Sequence, residues 1–206
     1  TFFIKASTAA NGNYAAGEKT ITLTVCEGGL VSTATDYSGI YDGQPHSITV
    51  SVTEPSGAVV TYSTDGVNFG AENPKFTKAG SYDVAYRIEK ENYATVTGTK
   101  KVVIEKRGIT ITAGEQTILW GTAIDQTKYT VSTAAGNELV AGDHIAGIAL
   151  TPSTSERTEN GTITVGSVKI LNAAGEDVTD SYKLSAVQGV LKITHNTTLA
   201  PDRIEA

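Results

Sequence analysis

Apolar residues at every second position constrain this chain more than any other feature. Ile48, Val50 and Val52 alternate with Ser47, Thr49, Ser51 and Thr53, and Tyr82, Val84, Tyr86 and Ile88 alternate with Asp83, Ala85, Arg87 and Glu89. A period of two lines one face of a strand, whereas a helix needs 3.6. Each run is therefore a half-buried strand that needs a second apolar surface to pack on. Val102 and Ile104 supply a closing strand after Gly98. Between the runs, Tyr62 to Phe69 places Asp65-Gly66 between two short β-prone stretches, which predicts a hairpin with a tight type I′ turn.

A repeat extends this pattern. Asn13-Tyr14-Ala15 leads through a loop to Ile21, Leu23 and Val25, as Asn92-Tyr93-Ala94 leads to Val102 and Ile104. The spacing of about 80 residues is that of a whole sandwich domain. A weaker echo runs from Tyr182-Lys183-Leu184 through Gly189 to Val190, Leu191 and Ile193. The expected organisation is a terminal hairpin of a truncated copy at residues 1–28, a sandwich at 29–106, a second at 107–194, and a linker or tail at 195–206. Phe3-Ile4-Lys5-Ala6 and the Ile21, Leu23, Val25 row form only two strands, so that hairpin is expected to lie against a partner. The joints Gly28-Gly29 and Lys106-Arg107-Gly108 are short and restrict interdomain angles. In the last sandwich Gly136, Gly142, Gly147, Gly161, Gly166 and Gly175 are expected at turns.

Composition narrows the setting. Among 206 residues there is no Met and one Cys, Cys26, which excludes an intrachain disulfide framework. The net charge of -6 argues against nucleic acid as a partner, because phosphate binders carry a basic stripe. No apolar run approaches the roughly 20 residues of a membrane span, and no signal peptide opens the chain, which reads as an internal segment.

Tyr41-Asp42-Gly43-Gln44-Pro45-His46, Tyr62-Ser63-Thr64-Asp65-Gly66, Asn73-Pro74 and Ala79-Gly80-Ser81-Tyr82 resemble the MBG family of bacterial Ig-like modules, which occur in tandem in large surface proteins. Residues 107–194 resemble a looser MBG/YDG-type module through Leu139-Val140-Ala141-Gly142-Asp143 and Asp177-Val178-Thr179-Asp180-Ser181-Tyr182, with Leu119-Trp120-Gly121 in place of Tyr-Asp-Gly. The resemblance implies tandem Ig-like β-sandwich domains outside a bacterial cell. It supplies no catalytic residues.

Candidate chemistry is sparse. His46, His144 and His195 lie apart without the ligand set zinc needs, and read as surface histidines. Asp65, Asn68, Glu72 and Asn73, and likewise Asp177 and Asp180, offer oxygens that turn chemistry explains better than calcium does. No serine nucleophile setting occurs, and the acceptor-like Asn160 and Asn196 sites are expected by chance in a Thr-rich chain. Trp120, Tyr37, Tyr41 and Tyr93 could form a sugar platform, but core positions suit them better, Trp120 as the cap of a sandwich end. Cys26 reads as an apolar filler. An intramolecular amide from Lys101, Lys169 or Lys183 would need a desolvated amine, yet alternation points all three outward. Tyr82, directly after a turn, is expected to form a tyrosine corner.

The expected function is a non-catalytic spacer or stalk segment of a bacterial surface, adhesin-like protein, without metal or cofactor. Its partners are neighbouring Ig-like modules, with a host or matrix glycan or protein as a further candidate. The alternative is a carbohydrate-binding accessory module.

Overall fold

The computed structural model describes residues 2–13, 15–23 and 28–195; Tyr14, Cys26, Val25 and the tail beyond His195 lie outside them. Among the described residues the regular elements are strands, apart from one 3-10 turn at Thr179–Ser181, so the chain is all-β as its alternation requires.

At the N-terminus β1 (Phe2–Thr8) and β2 (Gly17–Leu23) pair antiparallel in a two-stranded sheet. The described side chains from Ile4 to Thr22 are exposed, including the cross-strand pair Ile4 (57 %) and Ile21 (54 %). The cover expected for this apolar row is thus not supplied to Ile21 by the rest of the described chain.

The central sandwich sets β3 (Val31–Thr35) and β5 (Thr49–Glu54) against a sheet of β4 (Tyr37–Ile40), β8 (Val96–Glu105), β7 (Gly80–Glu89) and β6 (Val59–Ser63), in that order. Its core is the inward set read from the alternation: Ile48, Val84, Ile88, Val102 and Ile104 are buried. The hairpin at Asp65-Gly66 differs from expectation. A type I′ turn needs positive φ at both central residues, and here only Gly66 has it (+73°). Tyr62 and Gly70 instead exchange backbone hydrogen bonds of 2.8 Å around a longer loop. Inside it the Asp65 carboxylate accepts from the Ser63 hydroxyl (2.7 Å), the Val67 and Asn68 amides (2.8 Å each) and Asn68 Nδ2 (2.7 Å). These donors, the Asn68 amide foremost, hold its pKa well below the carboxylate range, and they engage both of its oxygens.

The second sandwich comprises β9 (Arg107–Ala113), β10 (Gln116–Leu119), β11 (Tyr129–Val131), β12 (His144–Pro152), β13 (Thr158–Leu171), β14 (Tyr182–Val187) and β15 (Gly189–Thr194). Its sheets run β10-β15-β13-β12 and β11-β9-β14. Gly136, Gly142 and Gly175 occupy turns with positive φ, but Gly147 lies inside β12, and Gly161 and Gly166 lie inside the 14-residue β13. Strand register shifts beside Gly147 and Gly161, and a Cβ on Gly161 would come within 3.1 Å of the Leu191 carbonyl oxygen. These glycines permit bulges and close strand approach rather than chain reversal.

One register rule organises both sandwiches. In the second, Arg107 opposes Tyr182 and Thr112 opposes Val187 in one sheet, then Gln116 opposes Leu191 and Leu119 opposes Thr194 in the other, all in parallel at an unchanged offset. The two strands thus switch sheets together. The switch is close-packed: a Cβ on Gly189 would stand 2.5 Å from the Ala113 carbonyl oxygen. The central sandwich repeats the device. Gly28 opposes Tyr93 in an isolated parallel bridge, and Tyr37 opposes Val102 through Ile40 opposite Glu105, again at an unchanged offset. Each parallel pair spans 13 residues, so its two ends lie about 40 Å apart at about 3.3 Å per residue. Gly28 and Arg107 therefore mark equivalent entry poles, and Ile40 and Leu119 equivalent exit poles.

Candidate functional site

The exit pole of the central sandwich meets the entry pole of the second. Tyr41 follows the last residue of β4, and its amide donates to the Glu105 carbonyl at 2.9 Å, which closes the pole. Its ring is 2 % exposed and packs edge-on against Tyr182 with centroids 5.3 Å apart. Both hydroxyls donate to one oxygen of Asp143, Tyr41 at 3.0 Å and Tyr182 at 2.7 Å, and the Tyr182 hydroxyl also accepts from the Val140 amide at 2.9 Å. Hydrogen bonds to a carboxylate are among the stronger ones available. Burial first, and then donation to Asp143, raise both hydroxyl pKa values above the ordinary 10, so the neutral donor form is held.

Further contacts flank this centre. Arg107, the first residue of the second sandwich, forms an ion pair with Glu138, donates from Nε to the Glu138 carbonyl at 2.8 Å, and reaches the Tyr41 carbonyl at 3.4 Å. Lys78 donates to the Asp177 carbonyl at 2.9 Å, and the Ala79 amide to buried Ser181 at 3.1 Å. Tyr41, Ile48, Val84, Val102 and Ile104 join Ile109, Ile111, Ile170, Val178 and Tyr182 in one core that crosses the junction. A polar cleft of about 280 Å³ remains beside it, between Gly43, Thr77 and Lys78 on one side and Val140, Asp143 and Asn172 on the other.

The candidate platform aromatics do not converge. Tyr41 is sealed in the junction. Tyr37 is half-buried, stacked on His46 at 4.0 Å and hydrogen-bonded to its Nε2 at 3.1 Å. Tyr93 is half-buried over Gly28, where a Cβ would stand 2.5 Å from its ring. Trp120 departs from the expected end cap: it is 54 % exposed at the exit pole of the second sandwich. Its position explains this, since it occupies the place of Tyr41 with no following sandwich against it among the described residues.

The remaining candidates resolve into structural roles. His46 is no simple surface histidine, because its Nε2 also lies 2.9 Å from Asp42, whereas His144 and His195 are exposed. Asn73 donates to the Ile48 carbonyl at 2.8 Å, Asp177 accepts from the Thr179 amide at 3.0 Å to start the 3-10 turn, and Glu72 and Asp180 are exposed. Among the described residues no three His, Cys, Asp or Glu side chains group as metal ligands. Lys101, Lys169 and Lys183 are all exposed, with Lys101 paired to Asp83 at 2.7 Å. Cys26 and Asn196 lie outside the described residues. The tyrosine corner is present: the Tyr82 hydroxyl donates to the Lys78 carbonyl at 3.0 Å. Sequence reasoning missed Asp143 and Tyr182 as junction residues, although both stood in the motifs Leu139–Asp143 and Asp177–Tyr182.

No curated protein matches the chain closely enough to count as similar. Among solved structures it resembles the SGBP-B protein of the Bacteroides ovatus mixed-linkage glucan utilization locus, solved with a mixed-linkage heptasaccharide, at 17 % identity and a TM-score of 0.28, over 78 % of this chain and 43 % of that one. It also resembles extracellular cadherin domains 3–6 of protocadherin gamma B2, at 10 % identity and a TM-score of 0.27, over 88 % and 57 %. The protocadherin gammaB4 extracellular domain is similar at 11 % identity and a TM-score of 0.27, over 86 % and 37 %. The chain thus spans between 37 % and 57 % of these structures. The model of the MBG domain matches residues 31–108, which take in the Tyr41-Asp42-Gly43 turn, the Tyr82 corner and the closing strand. Residues 31–108 are an MBG module.

Proposed function

We propose that this chain is a non-catalytic spacer segment of a bacterial cell-surface, adhesin-like protein, in which tandem sandwich modules hold another part of the polypeptide away from the cell. The observation that carries this reading is the Tyr41–Asp143–Tyr182 junction. A pair of modules on a loose linker would need no buried aromatic contact, shared core or carboxylate bridge between them, and a spacer needs resistance to bending. The MBG match over residues 31–108 supports an extracellular setting. No helix among the described residues is long and apolar enough to cross a membrane.

Small-angle scattering tests the spacer. The expected radius of gyration is well above the roughly 17 Å of one compact body of this length, and Tyr41→Ala should broaden the distribution of distances between the two modules. A compact profile, or one unchanged by Tyr41→Ala, would count against it. A second reading, a carbohydrate-binding accessory module, is favoured by one observation, the exposed ring of Trp120. It expects saturable binding of a soluble glycan that is lost in Trp120→Ala.

A further inference from the structure

We infer that the Trp120 pole is a docking surface for the entry pole of another sandwich module of the same polypeptide, engaged as Tyr41 engages Tyr182. The inference rests on the spacer reading and adds a specific half-joint to it.

The equivalence of the two poles is residue by residue. Tyr41 stands 13 positions after Gly28, the entry residue opposite Tyr93, and Trp120 stands 13 positions after Arg107, the entry residue opposite Tyr182. The Tyr41 amide donates to the Glu105 carbonyl and the Trp120 amide to the Thr194 carbonyl, both at 2.9 Å. The residue before each, Ile40 or Leu119, is an exposed apolar side chain, and a glycine with positive φ follows shortly after, Gly43 or Gly121.

What differs is cover. At the Tyr41 pole the core runs on into the next sandwich. At the Trp120 pole the second core, built from Ile124, Leu150, Ile163, Leu191 and Ile193, opens into a cavity of about 460 Å³ with Ile118, Ile124 and Leu150 in its wall. Contiguous exposed apolar surface marks contact sites, and Trp120 lies in sequence between Ile118 and Gly121, which line this cavity. The chemistry of the partner follows from Tyr41. Its ring presents one hydrogen-bond donor at the tip, taken up by Asp143. The Trp indole N–H is likewise a donor only. The surface that covers Trp120 therefore presents an aromatic edge and an acceptor, preferably a carboxylate, in the places of Tyr182 and Asp143.

Hydroxyl-radical footprinting of Trp120 by mass spectrometry tests this, comparing the 206-residue chain with the full-length gene product. Docking predicts that Trp120 labelling falls several-fold in the full-length protein, as its exposure moves from 54 % towards the 2 % of Tyr41. Replacing the acceptor in the next module should restore labelling. Undiminished labelling, a gene product without a further module, or protection of Trp120 in the 206-residue chain by a soluble oligosaccharide would each overturn the proposal. Failure here leaves the Tyr41 junction intact, so it is distinguishable from failure of the spacer reading, which scattering of the 206-residue chain reports separately.

Discussion

A single hydroxyl shows how local sequence carries tertiary meaning. Gly80-Ser81-Tyr82 follows a turn, and the Tyr82 ring folds back so that its hydroxyl reaches Lys78 four residues upstream, stacked on Phe76 with centroids 4.1 Å apart. Tyr82→Phe should cost about 1 kcal/mol, the worth of one hydrogen bond, in urea unfolding with an unchanged m-value. An unaltered midpoint would show that this hydroxyl contributes nothing. Trp120 teaches the opposite lesson. Its type predicts burial, yet its neighbours cannot say which pole of the sandwich it occupies or whether that pole is covered, because the answer depends on Thr194 some 75 residues away.

At the scale of elements, period-two alternation identified β5, β7 and the end of β8 in the central sandwich, but neither β3 and β4 nor which strands pair. The parallel pairs β4-β8, β9-β14 and β10-β15 join residues far apart in the chain, and nothing local marks them. The sheet switch in the second sandwich is tight enough to test. Gly189→Ala would drive a Cβ into the Ala113 carbonyl, so a loss of about 1–3 kcal/mol is expected, the usual range for overpacking. Wild-type stability would mean that the strands can part at the switch. The N-terminal hairpin is the weakest element, since two strands alone are marginal in water. In hydrogen exchange of this chain, the amides of β1 and β2 should be far less protected than those of β7 and β8; equal protection would reveal a partner for Ile4 and Ile21.

At the scale of the whole molecule the junction should be sensitive to alkali. Tyr41 and Tyr182 have raised pKa values when docked, so the undocked state loses protons first as pH rises above about 10 while the docked state retains them. Docking is therefore at full strength below pH 10 and weakens above it. Fluorescence energy transfer between dyes on the two sandwiches should show separation above pH 10, with a shallower pH dependence in the Tyr41→Phe, Tyr182→Phe double variant. A profile flat to pH 11 would remove these hydroxyls from the joint. The amino-acid sequence by itself determined the all-β class, the inward sets of the main strands and the MBG character of the central module. These are properties of alternation, turn residues and local motif, and each is written within a few residues. Which pole meets which, that Tyr41 is sealed while Trp120 is bare, and that Asp143 bridges two tyrosines were decided only by tertiary structure. They depend on pairings at offsets of 65 and 75 residues, where chain topology rather than local propensity brings side chains together.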